Sequence, residues 1–445
     1  MPSLEPADLS DRVPRADGLY HGSPRALNLQ GQRILSSTAA RFFNADAEVL
    51  GPAAFSDALA PLPPDIADVL RDGTLSSALL SEDTALLVGH LPGEAPFGLW
   101  IRKPRIVDSA RVFDAFAEAV RIGHAESRRR GFTDATRTLG DGLIELTVAK
   151  YLAGDAPTEA AVLLLLELFA KLRSATFEGE SFTTGLVFVD SPEVVAARTD
   201  GAVSPLTHPV DLYHARGIDK RFWYMVDGRG TYYLCDHGLR IAHAFAVPHG
   251  TGSTRHWLEQ TLGAGSALFR VTSRSEFSVS TPDGLDFSYH NDTWRLRDYR
   301  AIYGAVLNRI PVSRDVLDAL LPFVLKLSTR HLSALVWLPD DGALDEVYCK
   351  TKNSLLTEPV SLFDARRRSF LLRQLASDGA TIIDTSGDVL HYGCIVDTGR
   401  EAVSGVYGTG ELTARHLSRH GVAIKVSRDG QVQIYTDPDA PALLL

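Results

Sequence analysis

The sequence predicts an α+β chain with α/β passages, and three observations carry that expectation. Apolar residues recur at helical spacing in Ser109–Gly123, Leu143–Leu152, Ala161–Leu172 and Val316–Leu327, so each run can bury one stripe of a helix. Between Gly185 and Tyr289, short runs rich in β-branched and aromatic residues alternate with Gly, Asp and Ser turns, the pattern of antiparallel strands. From Val312 onward the order reads helix, strand, helix, strand, strand, helix, strand, strand, which requires a sheet flanked by helices.

The chain has 445 residues, 45% hydrophobic and 22% charged, enough for roughly two to three domains with real cores. The expected division is a loosely ordered lead-in over 1–45, an α/β module over 46–180, a β-rich middle domain over 181–310 and a C-terminal domain over 311–445. A net charge of −10 argues against a nonspecific nucleic-acid binder. The basic runs Arg128–Arg130 and Arg366–Arg368 read as solvated helix faces. Cys235, Cys349 and Cys394 lie far apart without CxxC spacing, so neither a zinc site nor a disulfide framework is expected, and a reducing cytoplasm is the default. Ala161–Leu172 is broken by Glu167 and Lys171 and is too short to span a bilayer.

In the second module Thr84–Val88 and Gly98–Arg102 read as short strands. Asp108 or Ser109 should cap the helix that buries Val112, Phe113, Phe116 and Val120. The middle domain should hold strands at Gly185–Asp190, Phe222–Val226, Thr231–Leu234, Leu239–Val247, Ala267–Thr272, Glu276–Ser280 and Leu285–Tyr289. Asp298 should cap a helix from Tyr299 to about Leu307, and Arg295 and Arg297, on one side of an extended segment, should pair with Asp292 or Asp298.

The chemistry is concentrated in the C-terminal domain. Asp378-Gly379-Ala380 opens a strand through Ile383, Thr385–Asp388 is turn chemistry, and Val389–Val396 is the return strand of a hairpin. The small residues let a phosphate or metal approach the Asp378 carboxylate and its backbone. Gly408-Thr409-Gly410 then leads a helix from Glu411 to about His420, with Gly421 as its C-cap and a strand over Val422–Ser427. A glycine turn at a helix start aims N–H groups and the positive dipole end at an anion.

In this order of parts the chain resembles the diadenylate cyclase (DAC) domain family over roughly Leu321–Asp437. Asp378-Gly379-Ala380 matches the family's Asp-Gly-Ala, Val426-Ser427 its closing Val-Ser, and Ser333–Leu338 with Pro339-Asp340-Asp341-Gly342 its opening strand and turn. The family's Gly-Thr-Arg-His-Arg falls on Gly408-Thr409-Gly410-Glu411-Leu412, so the basic triplet has become Gly-Glu-Leu. A gapped alternative sets Arg415-His416 on the family's Arg-His.

The resemblance implies a C-terminal mixed sheet flanked by helices, and an enzyme that condenses ATP to cyclic di-AMP. In it Asp378 would bind Mg2+ or Mn2+ and help one ATP attack the α-phosphate of another, while Gly379, Ala380, Gly408, Thr409, Gly410 and Ser427 contact the nucleotide. Two sites must meet, in a homodimer or an internal pseudo-dimer. Loss of the basic triplet removes cations that the transition state needs, and Arg415, Arg419 and His420 are the candidate substitutes. The alternatives are a DAC-like sensor that binds ATP or a cyclic dinucleotide without turnover, and a structural scaffold.

The middle domain passes through similar grammar: Asp227-Gly228 before a strand, a hairpin over Gly238–Val247, Gly250-Thr251-Gly252, and a helix opening at Thr254-Arg255-His256. As a divergent repeat, it would make Thr254-Arg255-His256 a phosphate contact. Chance hairpin-and-turn grammar is the simpler alternative.

Overall fold

The computed structural model describes residues 29–71, 77–81, 84–89, 97–103, 110–129, 140–154, 158–198, 203–214, 219–247, 254–263, 265–273, 276–290, 292–340, 342–347, 349–354, 358–400 and 408–445. The expected cap residues Asp108 and Ser109, and the turn Gly250–Ser253, lie outside these residues. The fold is α+β, and the described residues form two antiparallel sheets, one of four strands and one of two, and two larger mixed ones.

Strands β1 (Asp46–Leu50), β2 (Ser77–Ser81), β3 (Thr84–Gly89) and β4 (Phe97–Arg102) form an antiparallel sheet in the order β1-β4-β3-β2. The helices Leu29–Phe43, Ala110–Arg129, Asp141–Ala153 and Glu159–Leu172 supply a core that runs continuously to Leu296. The segment expected as a loose lead-in is therefore helical from Leu29. Leu35, Ala39, Phe42 and Phe43 recur at helical spacing and are buried, with Phe42 stacked on Phe116 and Phe287.

The middle sheet follows a two-stranded ribbon of β5 (Thr176–Phe177) and β6 (Glu180–Ser181). It comprises β7 (Thr184–Phe188), β8 (Val203–Asp211), β9 (Thr231–Cys235), β10 (Arg240–Ala246), β11 (Ala267–Ser273), β12 (Glu276–Ser280), β13 (Leu285–His290) and β14 (Thr293–Asp298). Their order is β14-β13-β12-β11-β7-β9-β10-β8, antiparallel except for β7 beside β9. Two sequence expectations change here, and one strand was not expected at all. Phe222–Val226 is not a strand: Phe222, Trp223 and Tyr224 end the helix Lys220–Tyr224 and Met225 is its C-cap, because Asp219 caps the Arg221 N–H and Trp223 is drawn into the core against Phe169. Arg297 pairs with Glu276 at 3.4 Å, while Asp292 pairs with Arg173 at 2.8 Å. Edge strand β8, with Pro205 and Pro209, is too polar and exposed to show an alternating pattern in the sequence. Asp298 does cap its helix, Tyr299–Arg309, accepting the Ala301 N–H at 3.0 Å.

The C-terminal sheet is built on β15 (Ala334–Pro339). Around it lie β16 (Cys349–Asn353), β17 (Val360–Ser361), β18 (Ala380–Ile383), β19 (Asp388–Val396), β20 (Gly421–Val426), β21 (Val432–Tyr435) and β22 (Leu443–Leu444). The order is β16-β19-β18-β15-β20-β21-β22, with β17 also on β19. β15 runs parallel to β18 and antiparallel to β20. The helices Tyr299–Arg309, Arg314–Thr329 and Arg368–Leu375 cover one face through Leu320, Val324 and Leu371. The helix Thr409–Ser418 covers the other with Ala414 and Leu417 over Trp337 and Ile382. At the Pro339 end Arg309 donates to the Asp340 carboxylate at 2.7 Å and to the carbonyls of Arg419 at 2.8 Å and Thr436 at 3.1 Å. Among the described residues no helix is long and apolar enough to cross a membrane.

The two larger sheets share a connection order. The succession β10-β9-β7-β11-β12-β13 has the chain order and strand directions of β19-β18-β15-β20-β21-β22. Their hairpins close alike, with Asp236 accepting the Arg240 N–H and Asp384 accepting the Asp388 N–H, both at 2.9 Å.

Gly228 has a φ of +63°, and a Cβ there would lie 2.2 Å from the Thr184 carbonyl oxygen. Gly228→Ala should lower stability by about 1–3 kcal/mol, measured as a shift of the urea midpoint; an unchanged midpoint would show that the turn relaxes freely.

Candidate functional site

Register decides which of the expected residues share one end of the C-terminal sheet. Leu335 stands beside Ala380 on one side and Lys425 on the other, and Ala334 pairs with Val426. Asp378, two residues before Ala380, and Ser427, one after Val426, therefore flank the start of β15, roughly 10 Å apart at two strand spacings. The chain enters β20 from the helix Thr409–Ser418 at the opposite, Pro339 end, so the helix starts over the end where Asp378 lies. A Cβ added to Gly410 would be 3.5 Å from Lys425 Cε, which fixes the glycine turn above the Lys425 rung.

Asp378 is exposed, and one of its carboxylate oxygens accepts the Gly379 N–H at 3.1 Å. Gly379 has a φ of +94°, and a Cβ there would meet the Cys394 carbonyl oxygen at 2.7 Å. Glycine is thus required by the close passage of β19. Ala380 is buried among Trp337, Ile382 and Cys394, as a packing residue beneath the surface. Gly408, Thr409 and Gly410 are all exposed, and Gly408 is the helix N-cap, its carbonyl accepting the Glu411 and Leu412 N–H groups. The leading N–H groups of such a helix have no acceptor within it.

The candidate substitute cations lie elsewhere. Arg415 bonds Glu411 at 3.1 Å and the Pro438 carbonyl at 2.6 Å, and its guanidinium sits over the Tyr435 ring. Arg419 and His420 follow the C-terminal end of the helix, where the Arg419 carbonyl accepts from Arg309 and the His420 carbonyl from the Asp340 N–H. Asp378, Gly379, Gly408, Thr409, Gly410 and Ser427 thus lie at one end of the sheet, and Arg419 and His420 at the other.

Lys425 is the residue that sequence reasoning missed. Its ammonium donates to Gln433 Oε1 at 3.0 Å, and the Tyr435 hydroxyl donates to the same oxygen at 3.1 Å. Burial pushes the Tyr435 phenol up to about 12, with the Glu411 charge adding to the effect. The sequence offers one signal: in Val422-Ala423-Ile424-Lys425-Val426 a charge interrupts an apolar strand, on the face it shares with the buried Ala423. Glu411, the residue that would repel a phosphate, has its charge paired with Arg415.

Among the described residues no three His, Cys, Asp or Glu side chains group as a ready-made metal site. In the middle sheet, Asp227 is occupied by its own turn. Burial raises its pKa, but the N–H groups of Arg229, Thr231 and Gly230 outweigh this and hold the carboxyl below the usual range. The Thr254–Thr261 helix begins at the expected Thr254-Arg255-His256.

No family model matches this chain, and no curated protein matches it. Among solved structures, a hypothetical membrane spanning protein from Bacillus cereus is similar at 17% identity over 30% of this chain and 66% of that chain, with a TM-score of 0.25. A double mutant of DacA from Staphylococcus aureus is similar at 17% identity over 28% of this chain and 85% of that chain, with a TM-score of 0.22.

Proposed function

We propose that the glycine-turn end of the C-terminal sheet binds the phosphates of a nucleotide, ATP or a cyclic dinucleotide, as a DAC-like sensor site. The observation that carries this reading is the ammonium-bearing chain of Lys425 beside Gly410, at the sheet end that also carries Asp378 and Ser427. A phosphate there would take N–H groups from the helix start and a charge-assisted bond from Lys425. Asp378 offers a single carboxylate, which suits Mg2+ or Mn2+ only as an ion shared with phosphate oxygens. Asp378 would hold that ion together with the nucleotide, and the ion would offset phosphate charge.

A second reading, condensation of two ATP molecules to cyclic di-AMP, is favoured by the exposure of Asp378 at the lip of β18. It needs two sites face to face. Phe188 pairs with Cys235, just before the hairpin Asp236, and with Ala267; Leu338 pairs with Val422 and follows Trp337, the partner of Ile382. Aligned on the hairpin aspartates, Arg270 of the middle sheet falls at the rung of Lys425, but Gly230 falls at Asp378. An internal pseudo-dimer would hold one acid, so a homodimer of the chain is the arrangement we propose for turnover.

Calorimetric titration with ATP and with cyclic di-AMP in Mg2+ tests the first reading. Lys425→Ala should weaken binding about tenfold or more, and Arg419→Ala, at the far end of the helix, should leave it unchanged. Wild-type affinity in Lys425→Ala would overturn the site. Asp378→Asn should remove the Mg2+ dependence of nucleotide binding. Pyrophosphate release by the wild type, lost in Asp378→Asn, would instead select the second reading.

A further inference from the structure

We propose that Cys349 and Cys394 form a redox-modification site, a dithiol that closes to a disulfide under a hydroperoxide and is reopened by a small dithiol. Cys349 begins edge strand β16 and pairs with Val396 of β19, while Cys394 lies two residues back on the same strand. Diagonal neighbours of this kind share a face of an antiparallel pair. Both residues belong to the apolar cluster around Trp337 and Ala380, and the Cys394 thiol lies 3.9 Å from the Tyr392 carbonyl oxygen of its own strand.

The two sulfurs differ in access. Cys394 is buried and Cys349 only half-buried, on the outermost strand of the sheet. The neighbouring Cys394 thiol, and after it the charge of Lys352, bring the Cys349 thiol down to about 7 against the effect of burial. The same pairing, with burial, pushes Cys394 up. Cys349 is therefore the thiolate that meets the oxidant and Cys394 the partner that resolves it. Cys235, whose thiol is pushed up by burial, is an internal control.

In the first step the Cys349 thiol gives its proton to solvent, the thiolate attacks a peroxide oxygen, the O–O bond breaks, and the departing hydroxide or alkoxide takes a proton back from solvent to become water or an alcohol, giving a sulfenic acid. In the second the Cys394 sulfur attacks that sulfur, the S–O bond breaks, and the departing hydroxide takes the Cys394 proton to form water. The two thiols give up two electrons and the peroxide accepts them. The resulting bond would staple the edge strand to β19 where the Cys394 carbonyl lies against Gly379, the residue after Asp378. The proposal does not depend on nucleotide binding.

The test uses the full chain with equimolar hydrogen peroxide, followed by peptide mapping. The expected product is one linked peptide pair joining Cys349 to Cys394, with Cys235 still a thiol, reversed by dithiothreitol. Limiting iodoacetamide at neutral pH should label Cys349 on the order of tenfold faster than Cys235. In Cys394→Ser the Cys349 sulfenic acid should persist and be trapped by dimedone. Accumulation of Cys349 sulfinic acid without the link in the wild type, a link from Cys349 to a second copy of the chain, or equal labelling of Cys349 and Cys235 would each overturn the proposal. Because linkage and labelling are read on the wild type, the test survives a variant that fails to fold.

Discussion

The alignment of Ala380, Leu335 and Lys425 on neighbouring strands is the constraint on which the C-terminal site depends. Alternate residues of β20 face opposite layers. Val422, Ile424 and Val426 join the cluster under the helix Arg314–Thr329, while Ala423 faces the glycine-led helix with Lys425. A slip of one residue would turn the lysine into the apolar layer and set three apolar side chains beneath the shorter helix, so burial on both faces enforces the register. The position of the cation is thus secured by residues on the opposite face of the sheet.

Two glycines allow the backbone to close around this frame. Gly379 admits β19 beside the start of β18, and Gly421, with a φ of +146°, lets the helix turn into β20 where a Cβ would come within 2.1 Å of the Leu338 carbonyl oxygen. One sits at each end of the layer.

Much of this was legible in the sequence where local chemistry and packing agree. The strand and hairpin residues around Asp378, the glycine turn before Thr409 and the cap at Asp298 declare themselves through turn and cap residues. The helix at Leu29 was hidden because its neighbours in sequence are polar and its partners, Phe116 and Phe287, are distant. Phe222 and Trp223 read as strand because aromatic residues favour strands, and the Asp219 cap overrode that preference. Lys425 was passed over because its meaning depends on which face of β20 meets the glycine turn, and the pairing of distant segments decides that. The identical closing turns at Asp236 and Asp384 follow from a local motif, whereas the common strand order of the two sheets is visible only in three dimensions.

Arg309 gives the helix above the site an asymmetric mounting. Its guanidinium is a fixed positive charge against the carbonyls that end the helix, and it ties the same corner to Asp340 and Thr436. The leading turn, at Gly408 to Gly410, is exposed. The helix is therefore clamped at its tail by Arg309 and along its body by Arg415 on the Pro438 carbonyl and by buried Ala414 and Leu417, and only its first turn is left open to solvent.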